Sequence, residues 1–197
     1  MEDRYFDHNL EKHAFFDNLI RKFGAADSDF TVKSSDGNTI PCHKLILSAN
    51  SEYFKTLLKS GNGSEPAFKE KIINEVSLED VDYKTLSLLL RYMYSLELSK
   101  DLAKEQITEL LVAADRLHME ELVDRCVSLL MCGLKNEDLI QTFIIINKMR
   151  PQGNARDALL ELMTSNKKTV ATSKDFPLFV EKYPSLTVEF VKAICVD

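Results

Sequence analysis

The sequence has no excess of positive charge. Its 25 lysines and arginines are outnumbered by 31 aspartates and glutamates, for a formal net charge of −6. A dedicated nucleic-acid surface needs a basic excess to displace counterions from phosphates, so that class is excluded. Long apolar runs are also missing, and none approaches the ~20 residues that span a bilayer. The N-terminal residues Met1–His13 are acidic and polar, unlike the apolar core of a secretory signal. Tryptophan is absent and the aromatics are phenylalanine and tyrosine. There is no GxxxxGK[ST], no GxGxxG and no GxSxG, which removes the common phosphate cradles and the nucleophile elbow. No internal repeat or low-complexity tract is present. Cysteine is scarce, with only Cys42, Cys126, Cys132 and Cys195, each beside an apolar residue. That usage predicts free thiols of a reducing compartment, cytosolic or nuclear, rather than disulfides.

What is present is enough apolar residue, 45% of 197, to bury one large core or two small ones. The stretch Asp29–Leu58 is the most informative. Phe30-Thr31-Val32 and Thr39-Ile40-Pro41-Cys42 flank Ser35-Asp36-Gly37-Asn38. Asp-Gly is a strong turn signal because glycine takes a positive φ without a Cβ clash, so a hairpin is predicted. After Pro41 the period changes. Leu45, Ile46 and Leu47, then Phe54, Leu57 and Leu58, fit two short helices with Ser51 as an N-cap between them.

Upstream, Leu10, Phe16, Leu19, Ile20 and Phe23 are the apolar positions of an amphipathic helix ending at Gly24. Its apolar face either folds onto its own core or packs against another chain. Downstream, residues 59–71 form a polar loop, and Val76 and Leu78 alternate as in a strand. Asp80 or Asp82 opens a helix striped by Leu86, Leu89, Leu90 and Met93. Two more helices follow, striped by Ile107, Leu110, Leu111 and Ala114, and by Leu122, Val123, Cys126, Leu129 and Leu130. His118-Met119 forms the turn between them. From Leu134 onward the pattern is helical throughout. Asn136 caps a helix striped by Leu139, Ile140, Phe143 and Ile144, and Asn154 caps one striped by Ala155, Ala158, Leu159 and Leu162. Ser165–Asp175 is a polar loop with room for a short helical turn. A segment with Phe176, Phe179 and Val180 leads to a final helix carrying Leu186, Phe190, Val191 and Ile194. The implied fold class is α+β, three strands on one side of a cluster of helices, with an all-α tail.

Candidate chemistry is thin. Cys42-His43 are adjacent, but successive side chains point to different faces, so adjacency supplies no base to a thiolate. A Cys-dependent enzyme needs Cys42 exposed beside a base. Cys126 and Cys132 lack the companion pair of a zinc site. No metal, cofactor or catalytic residue is expected. Binding remains. Phe68 lies in a polar, glycine-rich loop, where a large apolar side chain is either tucked in or given to a partner.

The order Asp29, His43, Lys44, Leu47, Ser48, Ala49, Ser51, Tyr53, Phe54 resembles the signature of the BTB (POZ) fold. The resemblance is closest to the BTB and BACK-like regions of speckle-type POZ (MATH-BTB) proteins, whose tail is similar at Lys182-Tyr183-Pro184-Ser185-Leu186. It implies an N-terminal dimerisation helix over residues 1–26, a BTB/POZ domain over 27–132, and a BACK-like helical region over 133–197. It also implies homodimerisation, or pairing with related BTB chains, through Leu10, Phe16, Leu19, Ile20 and Phe23. Asp29 and a buried, hydrogen-bonded His43 are implied to be structural. BTB adaptors carry a hydrophobic-x-Glu motif ahead of the corresponding strand, and Phe68-Lys69-Glu70 is similar to it. The expected function is therefore a homodimeric adaptor that brings an unknown substrate protein to a cullin-3 RING ubiquitin ligase. It would bind the cullin-3 N-terminal region through Phe68, Glu70 and Tyr94. The loop before Phe68 departs from the speckle-type pattern by the extra segment Gly61-Asn62-Gly63-Ser64-Glu65-Pro66. The competing expectation is a dimerisation or transcriptional scaffold that ignores cullin.

Overall fold

The computed structural model describes residues 18, 21–22, 27–59, 74–99, 101–152 and 154–196. Leu10, Phe16, Leu19, Ile20 and Phe23, and also Phe68 and Glu70, lie outside the described residues.

A hairpin of β1 (Phe30–Ser34) and β2 (Thr39–Cys42) begins the first of two compact units. Phe30 faces Cys42 and Val32 faces Ile40 across the antiparallel register. Their side chains share one buried face because successive residues of a strand alternate sides. Gly37 takes φ 84°, the conformation the turn demands. The hydroxyl of buried Ser34 donates to the Asn38 carbonyl at 2.9 Å and also meets the Asp36 carboxylate. After the hairpin come α1 (Lys44–Asn50) and α2 (Glu52–Lys59). Then β3 (Glu75–Leu78) lies parallel to β1, giving a sheet ordered β2-β1-β3. Ser51 caps α2, since its hydroxyl accepts from the Phe54 N–H at 3.2 Å and donates to the Leu117 carbonyl at 2.6 Å. Helix α3 (Tyr83–Ser95) is capped by Asp82, whose carboxylate accepts from the Thr85 N–H at 2.8 Å. The α3 stripe Leu86, Leu89, Leu90 and Met93 is buried as its spacing requires.

The units divide inside α4 (Lys104–Arg116) and α5 (Glu120–Cys132). The first holds residues up to Leu102 together with Glu109–Val123, and the second holds Ala103–Thr108 and Asp124 onward.

The second unit contains α6 (Leu139–Met149), α7 (Asn154–Ser165), α8 (Lys167–Thr172), α9 (Phe176–Lys182) and α10 (Pro184–Val196). Four local expectations change here. Asn136 opens a 3-10 turn, Asn136–Asp138, instead of capping α6. Asp138 takes the cap position without a side-chain cap bond, because its carboxylate holds the Lys104 ammonium at 2.6 Å. Asn154 is the first residue of α7 itself. The inner face of α7 carries Leu159 and Met163, leaving Ala158 and Leu162 exposed. On α10 the buried residue is Phe190, and Val191 faces out. Arg156 of α7 ties this unit together. It donates to Asn147 of α6 at 2.8 Å and to Glu189 of α10 at 2.5 Å, and lies 5.5 Å over the Phe143 ring.

Candidate interaction surface

The carboxylate of Asp29, just ahead of β1, accepts the N–H of Lys44 at 2.8 Å. Lys44 is the first residue of α1, and His43 at the cap position makes no side-chain cap bond of its own. Asp29 therefore caps α1 from fifteen residues away, where a negative charge is favoured by the free N–H groups and the helix dipole. Lys44 then works in two directions. Its ammonium donates to the Asn74 side chain at 2.7 Å and sits 5.8 Å from the Phe30 ring centroid. The Asn74 carbonyl accepts from the Thr31 N–H at 2.8 Å. Asn74 is where the chain returns to the sheet after residues 60–73, so that return point is held by β1 and by Lys44 at once.

His43, which the resemblance implies to be buried and hydrogen-bonded, is half-buried, its side chain 21% exposed. Its Nδ1 lies 2.7 Å from the Tyr94 hydroxyl, and its backbone N–H donates to the same hydroxyl at 3.0 Å. The outer ring nitrogen is 3.6 Å from Asp27, which Lys22 contacts at 2.5 Å. The Lys22 hydrogen bond holds the Asp27 carboxyl below its ordinary value. Tyr94 is 1% exposed, and burial pushes its phenol up to about 12. Its hydroxyl thus points into the fold, at His43, rather than toward solvent.

This arrangement holds shape. Cys42 is completely buried, and its Sγ lies 3.7 Å from the Phe30 carbonyl. Burial, reinforced by the Asp29 charge, pushes its thiol up to about 12, so the thiolate a Cys-dependent enzyme needs is not formed near neutrality. Among the described residues no group of three His, Cys, Asp or Glu side chains could hold a metal ion, and no helix is long and apolar enough to cross a membrane.

The sequence reading missed Leu45, which is 76% exposed in the first turn of α1. Helical geometry carried the signal, since three successive apolar residues cannot share one helix face, and here only Leu47 is buried.

The family model for the BTB/POZ domain matches residues 18–132, and the chain belongs to that family. Kelch-like protein 41b of Danio rerio is 30% identical over 151 residues, 75% of this chain and 23% of the relative. BTB and MATH domain-containing protein 41 of Caenorhabditis elegans is 32% identical over 71% of this chain and 33% of its own length. A putative BTB/POZ domain-containing protein of Arabidopsis thaliana is 28% identical over 92% of this chain and 88% of the relative. The chain thus spans about a quarter and a third of the first two relatives and most of the third. The BTB domain of zebrafish PATZ1 matches with a TM-score of 0.50 at 21% identity, covering 62% of this chain and 95% of that one, and shares the fold. BTB domains are protein-interaction modules, and the chain has the general character of a BTB adaptor.

Proposed function

We propose that this protein is a homodimeric adaptor that recruits a substrate protein to a cullin-3 RING ubiquitin ligase. The observation that carries the reading is the anchoring of Asn74. The segment bearing Phe68-Lys69-Glu70 returns to the sheet at a point held by the Thr31 and Lys44 hydrogen bonds, four residues after Glu70. A binding segment with a fixed foot loses less freedom on docking than one free at both ends. In this reading Phe68 is the apolar anchor and Glu70 an auxiliary charge. Tyr94, being buried, positions His43 and the start of α1 instead of touching the cullin. The dimer forms through Leu10, Phe16, Leu19, Ile20 and Phe23, and the exposed Leu45 is a further contact in this reading. The adaptor works by proximity, holding substrate near the ubiquitin-conjugating enzyme without covalent chemistry of its own.

The test is a titration of wild type, Phe68→Ala and Glu70→Ala with the cullin-3 N-terminal region, alongside a thermal melt. A pocketed aromatic anchor contributes ~2 kcal/mol or more, some thirtyfold in Kd. Phe68→Ala should abolish capture at an unchanged melting temperature. Glu70→Ala should only weaken it, since an exposed charge pair is worth about 0–1 kcal/mol. If Phe68→Ala stays folded and binds as tightly as wild type, the scaffold reading replaces this one.

A further inference from the structure

The turn between β1 and β2 carries a reactive dipeptide. Asp36-Gly37 is exposed at its tip, with Gly37 at φ 84°. A Cβ at Gly37 would meet nothing within 4 Å, so no side chain shields its nitrogen. An aspartate followed by glycine can lose water. The Gly37 nitrogen attacks Cγ of Asp36, the N–Cγ bond forms and a Cγ–O bond breaks. The amide proton and the carboxyl OH leave together as one water, and a five-membered succinimide remains. Water then reopens the ring. Where it cleaves the bond from the Gly37 nitrogen to the Asp36 main-chain carbonyl carbon, the product is isoaspartate, and the chain runs through Cβ. Nothing is oxidised or reduced, and the mass is unchanged.

Ser34 holds both reacting groups off this path. Its carbonyl accepts the Gly37 N–H at 3.0 Å, which ties down the nucleophile. Its hydroxyl meets one oxygen of the Asp36 carboxylate, and the Tyr83 N–H donates to the other at 3.4 Å. Tyr83 begins α3, where the helix dipole favours a negative charge. Only the protonated carboxyl can release water. The Ser34 hydrogen bond, with smaller help from Asn38 and Tyr83, holds the Asp36 carboxyl below its ordinary value and so keeps it ionised. Ser34 itself is buried, and its N–H donates to the Asn38 carbonyl at 2.9 Å. The guard is anchored in the core while the guarded bond faces solvent.

We propose that Asp36-Gly37 is an isoaspartate-forming site that the closed turn suppresses and that opening of the hairpin releases. Isoaspartate lengthens the main chain by one atom and moves the carboxylate, so the Ser34 and Tyr83 contacts are not remade. The neighbouring Ser35 N–H donates to the Val81 carbonyl at 2.9 Å, which fastens this turn to the residues ahead of α3. The modification therefore loosens the hairpin tip from α3 and marks chains whose hairpin has once opened. The site involves neither Phe68 nor Glu70, and the inference does not depend on cullin binding.

The experiment incubates the full-length chain for several weeks at neutral pH and body temperature, in buffer and in guanidinium chloride. Trypsin then releases residues 34–44, bounded by Lys33 and Lys44. Chromatography with electron-transfer fragmentation distinguishes the isoaspartyl peptide from the aspartyl one. The unfolded chain should accumulate isoaspartate at Asp36, and the native chain should do so about tenfold more slowly or less, since the turn's hydrogen bonds must first break. Ser34→Ala removes the hydroxyl but keeps the carbonyl, so its native rate should lie between the two. A melt checks that this variant is folded. If it is not, Tyr83→Pro takes its place, because proline is well accepted at the first helical position and Asp82 ahead of it is already extended. That change removes the second donor to Asp36 and should likewise raise the native rate. Equal rates in native and unfolded wild type, no isoaspartate at Asp36 in either, or a folded variant no faster than wild type would each overturn the proposal.

Discussion

His118 shows how a single residue can be held in a conformation its side chain disfavours. It follows α4 with φ 51°, and the bonds on either side explain why. The Met119 N–H donates to the Ala114 carbonyl at 2.9 Å, and the His118 N–H to the Asp115 carbonyl at 3.0 Å. This paired ending of a helix places its left-handed residue at a position where glycine is usual. His118 is exposed, so removing its side chain opens no cavity. His118→Gly should stabilise by roughly 0.5–1 kcal/mol, the left-handed penalty less the added freedom of the unfolded chain. His118→Ala, which keeps the Cβ, should not. A fall in melting temperature for His118→Gly would refute the argument. The thiols give a second residue-scale expectation. Burial raises Cys42 and Cys126 from 9.0 to about 12, and Tyr94 from 10.0 to about 12. A folded pKa above the unfolded one favours the protonated form, so this stability is complete below pH 9 and is lost as pH rises toward 12. Denaturant midpoints measured from pH ~8 to pH ~11 should fall steadily, and Cys126→Val should flatten part of that slope. An unchanged slope in the variant would show that the thiol is not responsible.

At the scale of elements, Arg156 decides how α6, α7 and α10 are joined. Its side chain is 11% exposed, and its guanidinium serves Asn147, Glu189 and the Phe143 ring together. A planar fork with several donors does this where a single ammonium cannot. Arg156→Ala should therefore destabilise the second unit by about 2–4 kcal/mol, with Arg156→Lys giving little recovery, since truncation strands a partly buried carboxylate and amide. Hydrogen exchange is the measurement. Faster exchange should be confined to α6–α10, with the β1–β2 hairpin unaffected. Uniformly faster exchange would mean the clamp is not local. None of these partners is close to Arg156 in a recognisable motif, and Glu189 is 33 residues away. The stripes of α7 and α10 are buried only in part, at Leu159 and Phe190, for a related reason. On a helix with apolar residues on two sides, periodicity does not say which side meets a neighbour, and Leu159 and Phe190 won over Leu162 and Val191.

At the scale of the whole molecule, the proposed function needs two copies. Burying an apolar side chain contributes roughly 1.5–3 kcal/mol, so charging several should shift a dimer equilibrium by orders of magnitude. Leu19→Asp with Ile20→Asp should yield a folded monomer in sedimentation. Leu45→Asp should weaken the dimer without lowering the stability of one chain, because Leu45 is already exposed there. A wild-type monomer at micromolar concentration would contradict dimerisation, and a Leu45→Asp protein with unchanged association would remove that residue from the interface.

Local rules were enough for the hairpin at Asp36-Gly37, the Ser51 and Asp82 caps, and the buried stripe of α3, because each rests on neighbours within a few residues. The BTB signature was legible for the same reason, being a short ordered run from Asp29 to Phe54. Tertiary structure decided what joins distant residues. It placed the Asp29 carboxylate on the first turn of α1, turned Tyr94 inward to His43, and diverted Asp138 from capping α6 to Lys104. A carboxylate or hydroxyl can satisfy itself with any suitable donor or acceptor, and the sequence pattern alone does not rank partners that only folding brings within 3 Å.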